Sequence, residues 1–311
     1  MKILVSGLLN VETTLAVREF PIPYYPIDYP FFGVSSNVSG VGYNLAKAFG
    51  ALGDSVELFS FVGEDDEAER IFKHLREDGI TAAGVFPTLK NTPVSVVLFD
   101  KEGKRQIYCD LKDIQEKSID VSSDRLDAQL SACDVVAATN INFNRTLIKK
   151  AREKNKIIAT DVHVLSDPDD EYNKDFMSCA DLLFLSDEKL PCRPEEFLPK
   201  LEEKYHNRLI VMGMGGKGAM LLDAEKQKLY MLSAVKCKQV VNTVGAGDAL
   251  FSAFIHYYIK GLGPIEALKR AQTFASIKIG FNGASLGFSD EETVEKAYEN
   301  ARIDVTELTR W

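Results

Sequence analysis

A carboxylate that follows directly on a Gly-x-Gly turn can do two pieces of chemistry in one place. In Asn242-Thr243-Val244-Gly245-Ala246-Gly247-Asp248 a polar turn runs straight into the apolar segment Ala249–Ile255, which reads as a helix buried on most sides. The first turn of a helix leaves backbone N–H groups without internal partners and carries the positive end of the macrodipole. Glycines let a ligand approach that backbone closely. Gly245, Ala246 and Gly247 therefore read as a cradle for a phosphate or an oxyanion. At its plainest, Asp248 is a charge that stabilises the helix start by about 0.3–1 kcal/mol. Beside a cradle it is also placed to take a hydroxyl proton while the amides hold charge developing on a transferred phosphoryl group.

Three further stretches bear chemistry. Ser39-Gly40-Val41-Gly42-Tyr43-Asn44 opens a helix running to Gly53, and its small residues admit a ligand near Asn44, which has both a donor and an acceptor. A plain glycine-rich helix entrance explains the same residues. Asn10 and Glu12 emerge just past the strand Lys2–Ser6, at the carboxyl edge where open α/β sheets bind ligands. Gly213-Met214-Gly215-Gly216-Lys217-Gly218 satisfies Gly-x-Gly-x-x-Gly after a strand but is a decoy for dinucleotide binding. Ala219–Leu222 and Lys228–Leu232 follow it as a hairpin, not a helix, and no ribose-binding acid comes ~20 residues on. A Walker A loop also fails, because no Ser or Thr follows Lys217.

Taken together, the 242–248 stretch resembles the Asp-Thr-x-Gly-Ala-Gly-Asp signature of the ribokinase-like (PfkB) carbohydrate kinases. The 39–46 stretch resembles that family's Gly-Gly-x-Gly-x-Asn-x-Ala, with Ser39 for the first Gly. The resemblance spans nearly the whole chain. It implies that Asp248 is the catalytic base and that Gly245, Ala246 and Gly247 form the anion hole. It also implies that Asn10, Glu12, Gly40, Gly42 and Asn44 grip substrate hydroxyls, with Glu12 standing where the family has Asp. Gly215 and Gly218 match the family's Thr-x-Gly-x-x-Gly nucleotide loop, with Gly213 in place of the Thr. Thr243, Ser186, Ser276 and Asn282 fall on the nucleotide side. Where the family has Asn-x-x-Glu for magnesium and phosphate, this chain has Ser186-Asp187-Glu188-Lys189, so Asp187 and Glu188 are the metal candidates. A solvated acidic loop is the plain alternative there. Asn242 replaces the family's Asp at a position implied to support the loop and a nearby monovalent-cation site, which leaves K+ dependence open but not the base.

Around these motifs, elements alternate in a way that predicts a mainly parallel, doubly wound α/β sheet in a single domain, residues 1–311. Strands are expected at Lys2–Ser6, Ser55–Val62, Asp134–Thr139, Lys156–Asp161, Asp181–Leu185 and Arg208–Met212. Thr92–Phe99 and Arg105–Cys109 read as a hairpin turning at Asp100–Lys104. With residues 11–38 this makes insertions, about 11–38 and 92–110, that the resemblance turns into a β-sheet lid walled by Phe99 and Tyr108. Pro and Tyr in Arg18–Pro30 suggest extended edge pieces. Leu268–Gly280 reads as an amphipathic helix closed by Phe281–Ala284.

At 311 residues and a net charge of −9 the chain is ample for a large core and ill suited to non-specific nucleic-acid binding. The five cysteines form no Cys-x-x-Cys pair and the four histidines show no ligand spacing. A reducing, cytoplasmic setting fits, and no run reaches a membrane span. The expected activity is transfer of the γ-phosphoryl of Mg-ATP to a primary hydroxyl of a sugar or sugar-like molecule. A nucleoside acceptor, or a catalytically weak binding protein of the same fold, are the alternatives. An exposed lid edge also invites a homodimer.

Overall fold

Lys2–Ser6 (β1) is buried at every position after the first, as befits a strand covered on both faces of a parallel sheet. Ile3 and Val5 point into one apolar layer and Leu4 into the other, because side chains alternate across a strand. The computed structural model describes residues 1–102, 104–120, 122–237 and 239–309. After β1 come Asn10–Ala16 (β2), Val34–Ser39 (β3), the helix Val41–Ala51 (α1) and Ser55–Val62 (β4). Asp66–Glu77 (α2), Thr81–Pro87 (β5), Val94–Phe99 (β6), Arg105–Asp110 (β7) and Asp124–Ala132 (α3) follow. Next are Val135–Ala138 (β8), Asn144–Glu153 (α4), Ile157–Val164 (β9), Lys174–Cys179 (α5) and Leu182–Ser186 (β10). Pro194–Tyr205 (α6), Leu209–Gly213 (β11), Gly218–Asp223 (β12) and Lys228–Ser233 (β13) precede the long helices Ala246–Ile259 (α7) and Pro264–Lys278 (α8). Glu291–Tyr298 (α9) and Val305–Thr309 (β14) complete the order.

Ten strands form the main sheet in the order β14-β13-β12-β11-β10-β9-β8-β1-β4-β5. From β11 to β5 every pairing is parallel, and β12, β13 and β14 add on antiparallel. One face is covered by α1, α2, α7, α8 and α9, through residues such as Phe49, Leu75, Phe254, Phe274 and Val294. The other is covered by α3 to α6, through Leu130, Leu147, Phe176 and Phe197. This is the doubly wound architecture that the alternation implies. Chain order reverses beside β1, which has β4 on one side and β8 on the other. Ligands of such sheets sit outside the carboxyl ends at that reversal.

A second sheet is ordered β3-β2-β6-β7, and its Arg105 and Gln106 line a cleft with Glu188, just past β10, and Thr243. Its start is fixed by Asp65, the N-cap of α2, whose carboxylate accepts the Ala68 amide (3.0 Å), the Thr92 hydroxyl (2.5 Å) and the Thr92 amide (2.7 Å). The Thr92 hydroxyl lies 2.9 Å from the Gly63 amide as well, so the end of β4 and the approach to β6 are tied at one point. The turn residue Gly103 lies outside the described residues.

The stretch Arg18–Pro30 corrects an expectation, since it forms bends and turns and no ladder. Pro21, Pro23, Pro26 and Pro30 remove the donors a ladder needs. The loop closes on itself instead, through Arg18 Nη2 on Asp28 Oδ1 (2.6 Å) and the Arg18 guanidinium over the Tyr25 ring. Strand β5, which runs through Gly84, and the polar edge strand β14 have no counterpart among the expected strands. Among the described residues no helix is long and apolar enough to cross a membrane.

Asp65→Ala is expected to lower stability by about 1–3 kcal/mol through loss of the cap and of the bonds to Thr92. A fall in the thermal midpoint, with faster hydrogen exchange in β6 than in β1, is the measurement that checks it.

Candidate active site

Helix α7 is held in register by aromatic packing against β10. The Phe184 ring meets Phe251 and Phe254 edge-on, with centroids 4.8 and 5.4 Å apart. Each such contact adds about 0.5–1.5 kcal/mol beyond the area it buries. At the far end of the helix, buried His256 Nδ1 lies 2.7 Å from Asp54 Oδ2. With both ends pinned, the first turn of α7 is delivered to the carboxyl edge of the sheet. Gly245 caps it at φ 80°, in the left-handed region. A Cβ at Gly245 would lie 2.4 Å from the Ala284 carbonyl oxygen. Only glycine fits both the conformation and the space.

The cradle is narrower than the motif suggests. The Ala246 amide donates to Thr243 O (3.2 Å) and the Val244 amide to Asn242 Oδ1 (2.8 Å). Among the described residues the amides of Gly245, Gly247 and Asp248 meet no protein acceptor. Nothing lies within 4 Å of a Cβ built on Gly247, so that side of the turn is open. Asn242 thus still braces the loop, as an Asp would. Its amide group adds a donor that Asp lacks, to Asn282 Oδ1 at 3.0 Å.

Asp248 Oδ2 accepts from Asn44 Nδ2 at 2.7 Å, joining the starts of α7 and α1. Asp248 is half-buried, and loss of solvation raises its carboxyl above the ordinary aspartate value, with the Asn44 bond and the His163 ring acting against that rise. Glu12 is also pushed up by burial, with Ser39 opposing and the Asp248 charge reinforcing. Asn10 is buried, its Nδ2 donating to Ser95 Oγ at 2.9 Å. Both Asn10 Oδ1 and Asn44 Oδ1 are buried amide oxygens without a donor, a costly condition that a ligand hydroxyl would relieve.

Gly40 and Gly42 have a packing role of their own. The Gly42 amide donates to Leu8 O (2.9 Å), and Cβ atoms at Gly40 and Gly42 would strike Leu8 O at 2.4 Å and Gly7 at 2.6 Å. They let α1 start against the exit of β1, which is what brings Asn44 to Asp248.

The structure adds three ionisable groups to this site that the motifs do not signal. Asp161 and His163 leave the carboxyl end of β9, with the His163 amide donating to Asp161 Oδ1 (2.7 Å) and His163 at φ 58°. A left-handed histidine is uncommon and was a cue available only from the backbone. Lys278, the last residue of α8, is wholly buried and acts electrostatically on Asp248 and Glu12. In the sequence it is one polar residue in an amphipathic helix.

On the other side of the turn, Thr243 and Glu188 line a cleft of about 670 Å³ with Phe20 and with Lys104, Arg105 and Gln106 of the lid. Asp187 is engaged with Lys217 (3.0 Å), whereas Glu188 faces the cleft. Ser186 Oγ accepts the Glu188 amide at 3.2 Å. Gly215, at φ 54°, has open space where a Cβ would be, so a ligand can approach its backbone. Gly218 instead serves the hairpin, since a Cβ there would sit 2.0 Å from Leu232 O. The Ser276 hydroxyl donates to Thr273 O (2.7 Å), and Asn282 is tied to Asn242. Among the described residues no three His, Cys, Asp or Glu side chains are grouped to hold a metal ion.

The doubly wound sheet carries a helix-start turn beside a half-buried carboxylate, and the chain is a phosphotransferase that uses an alcohol group as acceptor. The chain belongs to the pfkB family of carbohydrate kinases, whose model matches residues 2–291. It is 22% identical to a ribokinase from Dictyostelium discoideum over 92% of this chain and 96% of that one. Among solved structures it is similar to a microbiome-derived acarbose kinase, with a TM-score of 0.85, 23% identity and coverage of 96% and 98%. It is also similar to Arabidopsis thaliana ribokinase complexed with ribose and ATP, with a TM-score of 0.79, 20% identity and coverage of 96% and 98%.

Gly245→Ala must shift the turn away from Ala284. Turnover is expected to fall by about 10²-fold, the effect of ångström-scale misplacement of reacting groups. Steady-state kinetics beside a thermal melt check that activity falls far more than folding.

Proposed function

We propose that this sugar or nucleoside kinase transfers the γ-phosphoryl group of ATP to a primary hydroxyl of a sugar or sugar-like molecule, with Asp248 as the base. The observation that carries this reading is the sharing of one helical turn by a half-buried carboxylate and amides that, among the described residues, meet no protein acceptor. The acceptor hydroxyl lies between Asp248 and the cradle, steadied by the unpartnered amide oxygens of Asn10 and Asn44. Its proton passes to Asp248, its oxygen bonds to the γ-phosphorus, and the bond from that phosphorus to the β,γ-bridging oxygen breaks to release ADP. Amides of the turn hold the charge that develops on the transferring group. The raised carboxyl strengthens Asp248 as a proton acceptor, provided it is ionised when the hydroxyl arrives.

For the nucleotide, the open backbone at Gly215 and the cleft lined by Thr243 fit a polyphosphate. Magnesium fits with few protein ligands, as is usual when phosphates and water complete its shell. Glu188 is the carboxylate available to it, Asp187 being held by Lys217. When bound, the ion neutralises phosphate charge. The lid strands, whose Arg105 and Gln106 line the cleft, exclude water from the transfer.

Asp248→Asn is expected to lower kcat by roughly 10²–10⁴-fold while ATP binding, followed by calorimetry, survives. ADP release from Mg-ATP is screened over sugars, sugar acids and nucleosides, with that variant as blank. Wild-type turnover in the variant would remove Asp248 from its role, and release above blank for no compound would favour a binding protein.

A further inference from the structure

The reaction described above leaves one buried charge without a task. Lys278 has no exposed surface. Its Nζ donates to Gly283 O at 2.6 Å, and among the described residues it forms no direct ion pair. An ammonium has three donors, so a single carbonyl leaves it under-satisfied, and a buried charge is costly unless something compensates it. Two features of its position do so. As the last residue of α8 it lies at the negative end of that helix. It also acts on two half-buried carboxylates, Asp248 from α7 and Glu12 from β2.

Its aliphatic stem matters as well. Lys278 Cε lies 3.0 Å from where a Cβ of Gly245 would be, beside the Ala284 carbonyl oxygen at 2.4 Å. Lys278, the Gly283–Ala284 segment and the cap of α7 therefore form one packed unit directly behind the cradle. Ser285 continues the brace, its Oγ donating to Val38 O (3.0 Å) in the lid. Three acids converge in front of this unit: Asp248, Glu12 and Asp161 of β9. The cation facing them is Lys278, and the His163 ring of β9 also lies near Asp248. The helix α1 contributes only the neutral Asn44.

We propose that Lys278 is a positioning residue for phosphoryl transfer: its buried ammonium is a resident cation that braces the cradle from behind and holds Asp248 ionised as the base. The inference rests on Asp248 having that role. Half-buried carboxylates near one another take up protons unless a positive charge opposes it, and a protonated Asp248 cannot accept the hydroxyl proton. The fixed ammonium supplies that charge from within the chain. The direction of each effect follows. Burial lowers the ammonium to about 8, with Asp248 and Glu12 opposing that fall, so the resident charge is present below about pH 8 and is lost above it. Removing it raises Asp248, so the base needs a higher pH to ionise.

The test compares Lys278→Met, Lys278→Ala and Asp248→Asn with the wild type, using the best acceptor from the ADP-release screen. In Lys278→Met, kcat is expected to fall by about tenfold or more, the loss of ionised base for one unit of upward shift below its pKa. KM for ATP should change much less. The acid limb of the kcat/KM profile moves to higher pH, and the wild-type alkaline limb near about 8 disappears. In Lys278→Ala, added ammonium or potassium ions restore part of the rate and choline does not. In the Asp248→Asn background Lys278→Met costs little further activity. Wild-type kcat with both limbs unmoved in Lys278→Met overturns the inference, as does absence of rescue by any small cation in folded Lys278→Ala. If neither lysine variant folds, the wild-type profile decides, and a flat kcat/KM through about pH 8 overturns it. Asp248→Asn separates the two levels. If it keeps full turnover the base assignment falls; if it loses turnover while Lys278→Met keeps it, only the role of Lys278 falls.

Discussion

A hydrogen bond of 2.7 Å from Asn44 Nδ2 to Asp248 Oδ2 joins the starts of two helices that are 204 residues apart in the chain. Much else in the molecule serves that contact. Helix α1 reaches it because Gly40 and Gly42 allow its first turn to lie against Gly7 and Leu8. Helix α7 reaches it because Phe184 of β10 locks Phe251 and Phe254 in place. The sheet supplies the common frame, since β1 and β10 both end at the same carboxyl edge. The bond orients the Asp248 carboxylate and leaves the amide oxygen of Asn44 buried without a donor. A rigid pair with one unsatisfied acceptor is what a hydroxyl-binding site requires before its ligand arrives.

Around that bond the chain departs from its family's motifs in ways the local physics absorbs. Asn242 keeps the brace to the Val244 amide and gains a link to Asn282 that a carboxylate could not donate. Asp187 is neutralised by Lys217, and Glu188 is the acid left facing the cleft. Gly213 has no hydroxyl, but the neighbouring backbone at Gly215 stays open to a ligand. In each case a lost side-chain contact is met by a neighbour or by the backbone. The turn that carries Asp248 is unchanged. The carboxylate is kept while the charges around it are rearranged, and Lys278 is where that rearrangement is most visible.

The cradle and its carboxylate were legible from residues 242–248 because the ingredients are local: glycines, a helix start and an acid within one turn. The doubly wound sheet was legible because alternating apolar runs and amphipathic stretches need only sequence periodicity. Asp161, His163 and Lys278 were not legible. Each comes from a different element and looks ordinary in its own context, and only convergence at the sheet edge makes it part of the site. The Ala246 amide shows the same limit from the other direction, since a motif names a donor but cannot say that Thr243 O has already engaged it.

What the sequence by itself determined is therefore the layer architecture, the family and the turn in which a carboxylate and a helix-start cradle coincide, all of which depend on short-range spacing. The tertiary structure decided which amides remain open, which of two adjacent acids faces the cleft, and that a lysine at the end of α8 lies behind the cradle. Loop 17–33 belongs with these, because its prolines forbid a ladder while only its fold reveals the Arg18–Asp28 closure. The physical reason is common to all of them. Hydrogen-bond partners and electrostatic neighbours are set by distance in space, and burial turns weak surface charges into strong ones only after the chain has packed.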